Sequence, residues 1–100
     1  MYEELTPEEV ERLLRNHTPV SIIDVREPFE FAEGHIPRAI NISVNEIQNR
    51  IGEINKEQEH IMVCHSGSRS EVASAILSAS GFKVKNMDGG MMNWHGPIEC

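Results

Sequence analysis

One cysteine lies in a stretch of small and polar residues that is suited to nucleophilic chemistry. The stretch reads Cys64-His65-Ser66-Gly67-Ser68-Arg69-Ser70. Its small residues and its glycine allow the backbone to curl, so that several N–H groups point inward and form a nest that binds anions. The anion can be the Cys64 thiolate, a persulfide or the oxyanion of a substrate, and Arg69 adds a permanent positive charge. The same field favours the thiolate form of Cys64 over the thiol.

Cys64 and Arg69 can each have either a chemical role or a purely structural one. A cysteine at the end of a strand is commonly a small buried apolar residue, and an arginine at the start of a helix can be a surface charge. However, a cation at a helix N-terminus opposes the helix dipole, so Arg69 indicates an anionic partner nearby. Together with the glycine-containing loop and the helix after it, Arg69 favours a reactive Cys64.

The elements that must position this loop alternate between apolar strands and amphipathic helices. Strands are predicted at 2–5, 20–25, 39–42, 60–64 and 82–87. Helices are predicted after Thr6, at 27–33, after Ser43 and at 69–80, and a short helical turn precedes Trp94. This alternation predicts an α/β domain on a mostly parallel sheet. Cys64 then ends a strand at the carboxyl edge of the sheet, where open α/β sheets bind their ligands.

Two of the predicted helices begin with the same local signal. Thr6 and Ser43 each precede a glutamate by three residues, as in a capping box. Val44, Ile47 and Ile51 follow the second box at helical spacing, which predicts an amphipathic helix there.

Composition excludes several classes of function. The 100 residues carry 9 Lys and Arg against 16 Asp and Glu, a net charge of −7, which argues against a nucleic-acid or anionic-membrane partner. There is no apolar run of membrane-spanning length and no secretory pattern at the N-terminus. Two cysteines are too few for a disulfide scaffold. We therefore expect a single domain over residues 1–100, located in the cytoplasm, with no metal or cofactor because no metal-ligand spacing is present.

Three ordered motifs resemble the signatures of the single-domain rhodaneses. The loop from Cys64 to Ser70 resembles the active-site loop of that family. The segments 24–31 and 34–42 resemble its first signature, and the segments 81–82 and 86–94 resemble its last. The resemblance thus extends from Asp24 to Trp94 in the same order and spacing.

The resemblance implies a rhodanese-like three-layer α/β fold, with a mostly parallel five-stranded sheet flanked by helices, and a sulfurtransferase activity. Cys64 would be the nucleophile that takes sulfur from thiosulfate or a low-molecular-weight persulfide and holds it as a persulfide. A thiol or cyanide would accept the sulfur, and a sulfur-delivery protein is a further candidate partner. The residues expected to bind the persulfide are His65, Ser66, Gly67, Ser68, Arg69 and Arg26.

Other activities compete with sulfur transfer. Related dual-specificity phosphatases have one more residue between cysteine and arginine, so the four residues between Cys64 and Arg69 favour sulfur chemistry over phosphate chemistry. A non-catalytic rhodanese-like binding or regulatory module is one alternative, and a thiol redox or persulfide buffer is another. The intact Cys64 loop favours catalysis, while the net charge predicts only modest activity with dianionic thiosulfate.

Several residues near the predicted site can be interpreted as functional or as structural. Arg26 either guides an anion into the pocket or forms a structural ion pair, and for Asp24 the ion pair is favoured. Glu30 is expected to belong to a hydrogen-bonded scaffold, and Trp94 to the core. Cys100 is either a relay or resolving thiol or an incidental one.

Overall fold

Five strands form one parallel sheet in the computed structural model, which describes residues 2–100. They are β1 (Glu3–Leu5), β2 (Ser21–Asp24), β3 (Ile40–Asn41), β4 (His60–Val63) and β5 (Val84–Met87). Their spatial order is β1-β5-β4-β2-β3, and each neighbouring pair is parallel. The predicted α/β class is confirmed, and β4 is the central strand, so the residue that follows it lies at the middle of the carboxyl edge.

Three helices and two short 3-10 turns surround the sheet. The helices are α1 (Pro7–Arg15), α2 (Pro28–Ala32) and α3 (Ser68–Ala79), and the 3-10 turns are Ile51–Glu53 and Gly90–Asn93. Alternate residues of a strand point to opposite faces. Met62 of β4 therefore packs with Leu77 of α3, whereas the preceding Ile61 packs with Val10 of α1. This gives the three layers that the sequence predicted. Within residues 2–100, no helix has the length and apolar character to span a membrane.

The first predicted capping box is confirmed. The Thr6 hydroxyl accepts a hydrogen bond from the Glu9 N–H at 3.1 Å, and the Thr6 N–H donates to the Glu9 carboxylate at 2.8 Å. Pro7 occupies the first turn, where its missing N–H costs no helical bond. Local signals alone were sufficient to place this helix.

The prediction of a helix after Ser43 is wrong. Residues 44–50 form turns, and only the short 3-10 turn Ile51–Glu53 follows. The Ser43 hydroxyl donates to the Glu27 carboxylate at 2.7 Å, and the Val44 N–H donates to the Val25 carbonyl at 3.0 Å. These bonds hold the chain against the end of β2. Ile47 is nevertheless fully buried, and Val44 and Ile51 are partly buried against the same core cluster.

Candidate active site

Cys64 follows β4 directly and precedes the turn into α3. Its sulfur accepts a hydrogen bond from the Gly67 N–H at 2.9 Å and another from the Ser70 hydroxyl at 3.3 Å. Gly67 has φ +104°, and a Cβ there would lie 3.2 Å from the Gly89 nitrogen, so the turn requires glycine. A polar cradle for the sulfur is therefore present at the carboxyl edge of the central strand.

The cradle differs from the predicted nest in two respects. Gly67 is the one backbone amide of residues 2–100 that donates to the Cys64 sulfur, whereas the sequence predicted several inward amides. The thiol is also completely covered, with a relative exposure of 0%. The sulfur is therefore not in contact with solvent, although the next two residues of the loop, His65 and Ser66, are exposed.

The other predicted loop residues lie around the cradle. Gly67 is buried within the turn. His65, Ser66 and Ser68 are exposed, and the two serine hydroxyls are 3.4 Å apart. Ser68 is the first residue of α3. The structure thus brings the loop residues together in one turn, with Gly67 buried and His65, Ser66 and Ser68 exposed.

A glycine turn holds the Cys64 loop from behind. The Met91 N–H donates to the Cys64 carbonyl at 2.8 Å, and the Met92 N–H donates to the His65 carbonyl at 2.9 Å. Gly90 precedes these residues with φ +62°, and its backbone passes so close to the loop that a Cβ there would meet the Cys64 and His65 carbonyls. The sequence predicted a tight turn here but not its contact with the Cys64 loop; the Gly89-Gly90 pair was the only available signal.

Arg69 has its anionic partner in Glu30 of α2. The two side chains form a paired contact of 2.7 Å (Nη1 to Oε1) and 2.9 Å (Nη2 to Oε2). Hydrogen bonds from Arg69, with a further one from the Glu27 N–H, lower the pKa of Glu30 from 4.5 to about 2. The hydrogen bonds to Glu30 in turn raise the pKa of Arg69. Glu30 is therefore the anion that offsets the unfavourable position of Arg69 at the N-terminus of α3. This contact agrees with the scaffold role expected for Glu30.

Arg26 is also paired. Its guanidinium donates to both Asp24 carboxylate oxygens, at 2.7–3.1 Å, and to the Gly34 carbonyl at 2.8 Å. Arg26 and Asp24 are both buried, which matches the favoured ion-pair interpretation of Asp24. Loss of either partner would leave an uncompensated buried charge. Arg26 also lines the groove described next, so a role towards an anion stays a prediction.

An open groove of about 530 Å³ borders the Cys64 loop. We call it the loop groove. Its walls include His65 of the loop, Phe29 and Glu33 from the α2 region, and Met91 and Ile98 from the C-terminal part of the chain. The loop groove is thus an open space on one side of the Cys64 loop, with His65 at its edge.

Trp94 and Cys100 lie near the same groove. Trp94 is buried, as predicted, and its indole N–H donates to the Pro97 carbonyl at 3.0 Å. Cys100 is exposed, and its sulfur is 3.8 Å from the Glu33 carbonyl. Both cysteines are free thiols. Over residues 2–100, no three His, Cys, Asp or Glu side chains come together as a metal-binding group.

The lowered pKa of Glu30 predicts an acid-dependent loss of stability. A carboxylate whose folded pKa lies below its unfolded value of 4.5 stabilises the fold above that pH and loses its contribution as pH falls towards 2. We expect Glu30→Gln to lower the free energy of unfolding at pH 7 by about 1 kcal/mol, because the pair is partly solvated. The difference from the parent protein should shrink between pH 4.5 and pH 2 in urea titrations.

Glu53→Gln provides the matched control. Glu53 also pairs with an arginine, Arg50, at 2.9 and 3.0 Å, but it is more exposed than Glu30. We therefore expect a smaller effect from this variant. A stability difference for Glu30→Gln that stays constant over the acid range would show that the ion pair with Arg69 does not stabilise the fold.

The chain is similar to known proteins over most of its length. The family model of the rhodanese-like domain matches residues 6–97. A sulfurtransferase of Allochromatium vinosum is 35% identical over 99 residues, which cover 96% of this chain and 92% of the relative. The thiosulfate sulfurtransferase GlpE of Pseudomonas syringae is 34% identical over 89 residues, 88% of this chain and 83% of the relative.

The fold has a close counterpart among solved structures. The crystal structure of a rhodanese-like domain protein from Staphylococcus aureus superimposes with a TM-score of 0.91 and 34% identity. The match covers 97% of this chain and 96% of that chain. The relatives thus support both the fold and a role in sulfur transfer.

Proposed function

Because the chain belongs to the rhodanese-like domain family, we propose that it transfers sulfane sulfur through a persulfide on Cys64. The observation that carries this proposal is the position of the Cys64 sulfur, at the carboxyl end of β4, with hydrogen bonds from Gly67 and Ser70. Donors of this kind stabilise a sulfur anion more than a neutral thiol.

The first half of the reaction loads the enzyme. The Cys64 thiolate attacks the outer sulfur of thiosulfate, the S–S bond of the donor breaks, and sulfite leaves with the electron pair. With an alkyl persulfide as donor, the alkyl thiolate leaves instead. The result in both cases is a Cys64 persulfide, whose outer sulfur is negatively charged.

The second half of the reaction removes the sulfur from the enzyme. A thiolate or cyanide attacks the outer sulfur of the persulfide. The S–S bond between the Cys64 sulfur and the outer sulfur breaks, and the Cys64 thiolate leaves. The products are an acceptor persulfide or thiocyanate. No outside oxidant or reductant is needed, and the two half-reactions predict ping-pong kinetics.

The loop supplies the electrostatic part of this proposal. The backbone amides of residues 65–69 would hold the outer sulfur, as an oxyanion hole holds oxygen. Since the thiol is covered, loading requires a local opening that exposes the sulfur to the donor. Such opening of an active-site loop precedes chemistry in many enzymes.

Intact-mass measurement tests the proposal directly. Protein incubated with thiosulfate or an alkyl persulfide is expected to gain one sulfur atom, and cyanide or a thiol should remove it. Peptide mapping should place the sulfur on Cys64, and Cys100→Ser should load as the parent protein does. Failure to gain sulfur from either donor, or sulfur found on Cys100 alone, would overturn the proposal.

The covered thiol favours a second candidate, a rhodanese-like module that binds partners without catalysis. This candidate predicts no stable gain of sulfur under the same conditions. A persulfide buffer would gain sulfur but would turn over acceptors slowly. The mass experiment followed by an acceptor assay therefore separates the three functions.

Thiosulfate is expected to be a modest donor. Arg69 and Arg26 are both paired with carboxylates, so neither presents a free charge to a dianion, and the net charge of −7 repels it. We expect kcat/KM for thiosulfate to stay below about 10⁶ M⁻¹s⁻¹ and to be exceeded by that for an alkyl persulfide. Steady-state assays with both donors at one salt concentration make the comparison; a higher value for thiosulfate would contradict this prediction.

Ser70 is a positioning residue that the sequence motifs did not single out. Its hydroxyl lies 3.3 Å from the Cys64 sulfur and 3.1 Å from the Gly67 carbonyl, so its one proton is available to either. We expect Ser70→Ala to slow sulfur loading by about three- to tenfold, the effect of losing one ordinary hydrogen bond.

Ser74→Ala is the control for Ser70→Ala. Ser74 is a buried serine one turn further along α3, and its hydroxyl has no hydrogen-bond partner within residues 2–100. Loading rates over a range of pH should therefore match those of the parent protein. If both variants load alike, the Ser70 hydroxyl does not act on the sulfur.

A further inference from the structure

Two large exposed apolar side chains line the loop groove. Five large apolar side chains are exposed among residues 2–100, namely Phe29, Ile40, Val72, Met92 and Ile98. Phe29 and Ile98, exposed by 69% and 57%, both line the loop groove, and Met92 directly follows a third lining residue, Met91. Scattered exposed apolar residues are ordinary, but a group beside a reactive site indicates binding.

The wall that carries Ile98 is built into the fold. The N–H of His35 donates to the Glu99 carbonyl at 2.9 Å, and the N–H of Glu99 donates to the His35 carbonyl at 2.8 Å. His35 in turn stacks on Phe31 of α2, with ring centroids 3.6 Å apart. Ile98 is therefore presented from a chain segment that is paired to the rest of the protein.

The free charge of the loop groove is negative. Arg26 is paired with Asp24, and Glu30 is paired with Arg69, so these charges are compensated. Glu33 also lines the groove, and no cation of residues 2–100 forms an ion pair with it. An exposed carboxylate beside apolar walls attracts lysine or arginine and repels anions.

We infer that the loop groove docks a polypeptide thiol whose cysteine is flanked by apolar and basic side chains. This inference deepens the proposed function and rests on it. A small donor such as thiosulfate has no apolar surface to bury against Phe29 and Ile98, whereas a peptide segment has. His65 belongs to both the groove and the Cys64 loop, so a docked cysteine lies next to the site of sulfur exchange.

The reaction of the docked partner follows the second half-reaction above. Its thiolate attacks the outer sulfur of the Cys64 persulfide, the S–S bond breaks, and the Cys64 thiolate leaves. The partner departs as a persulfide.

Synthetic peptides with one central cysteine test the inference on the full chain. One peptide flanks the cysteine with leucine and lysine, a second with leucine and glutamate, and a third with serine and lysine. Each transfer rate is divided by the uncatalysed rate of that peptide with a small alkyl persulfide, which removes differences in thiol reactivity. We expect the first peptide to exceed each of the others by about fivefold, and its advantage over the second to shrink at high salt.

Variants of the groove locate the effect. Phe29→Ser and Ile98→Ser should reduce the preference for leucine over serine, and Glu33→Gln should reduce the preference for lysine over glutamate by about two- to fivefold. Ile40→Ser and Val72→Ser change residues of similar exposure, 51% and 55%, that do not line the groove. They should leave both preferences unchanged.

Equal normalised rates for the three peptides would overturn the docking surface, as would preferences that survive the Phe29 and Ile98 variants. Persulfide loading on Cys64 and turnover with cyanide are measured in the same preparations. If these persist while the preferences are absent, the docking surface is wrong and sulfur transfer stands; if loading itself is absent, the proposed function is wrong.

Discussion

Cys64→Ser is expected to abolish persulfide formation and to lower sulfur transfer to cyanide by about a thousandfold or more, the scale of losing a covalent nucleophile. A serine hydroxyl at this position cannot form the S–S bond on which both half-reactions depend. The fold should survive, because serine has nearly the same shape and its hydroxyl can take over the hydrogen bonds from Gly67 and Ser70. We expect an unfolding midpoint close to that of the parent protein.

The measurement combines kinetics with mass. Initial rates at varied donor and acceptor concentrations should give parallel ping-pong lines for the parent protein and for Cys100→Ser, and no measurable rate for Cys64→Ser. A folded Cys64→Ser protein that still gains a sulfur atom would move the chemistry to Cys100. A Cys64→Ser protein that transfers sulfur at the parental rate without loading would indicate direct transfer between donor and acceptor.

The strands and the position of Cys64 were predictable because their signals are local or repeat along the chain. The apolar run at 61–63 is expected to be buried on both faces, and β4 is indeed the central strand of the parallel sheet. The glycine and small residues after it predict a turn rather than a continued strand. The start of α3 follows from that turn.

The helix expected after Ser43 shows where local signals fail. A capping box needs the serine hydroxyl for the helix, but in the fold that hydroxyl donates to Glu27, which is 16 positions earlier. The competing bond depends on how α2 packs beside β2, and nothing within a few residues of Ser43 indicates it. Tertiary contacts thus override a correct local pattern.

The partners of the site residues were only partly predictable for the same reason. The helix dipole indicated an anion near Arg69, but not that the anion would be Glu30, 39 positions away. The burial of Cys64 could not be inferred either, because it depends on how the whole loop closes over the sulfur. The sequence indicates the chemistry of each side chain, but which charges remain unpaired depends on the fold.

Gly90 packs directly against the Cys64 loop, so a change at this position should affect both the fold and the candidate active site. A Cβ at Gly90 would lie 2.5 Å from the carbonyl oxygens of both Cys64 and His65. These oxygens accept hydrogen bonds from Met91 and Met92, so the loop cannot move away without losing them. The φ of +62° at Gly90 adds strain for any other residue.

Gly90→Ala is therefore expected to lower the free energy of unfolding by about 2–4 kcal/mol, at the large end for single substitutions, and to slow persulfide loading on Cys64 by about tenfold or more. Urea titration and intact-mass loading rates measure the two effects. Gly52→Ala is the control, since nothing lies within 4 Å of a Cβ there and its φ is not in the left-handed region. A Gly90→Ala protein as stable and as quickly loaded as Gly52→Ala would show that the glycine turn does not hold the Cys64 loop in its reactive shape.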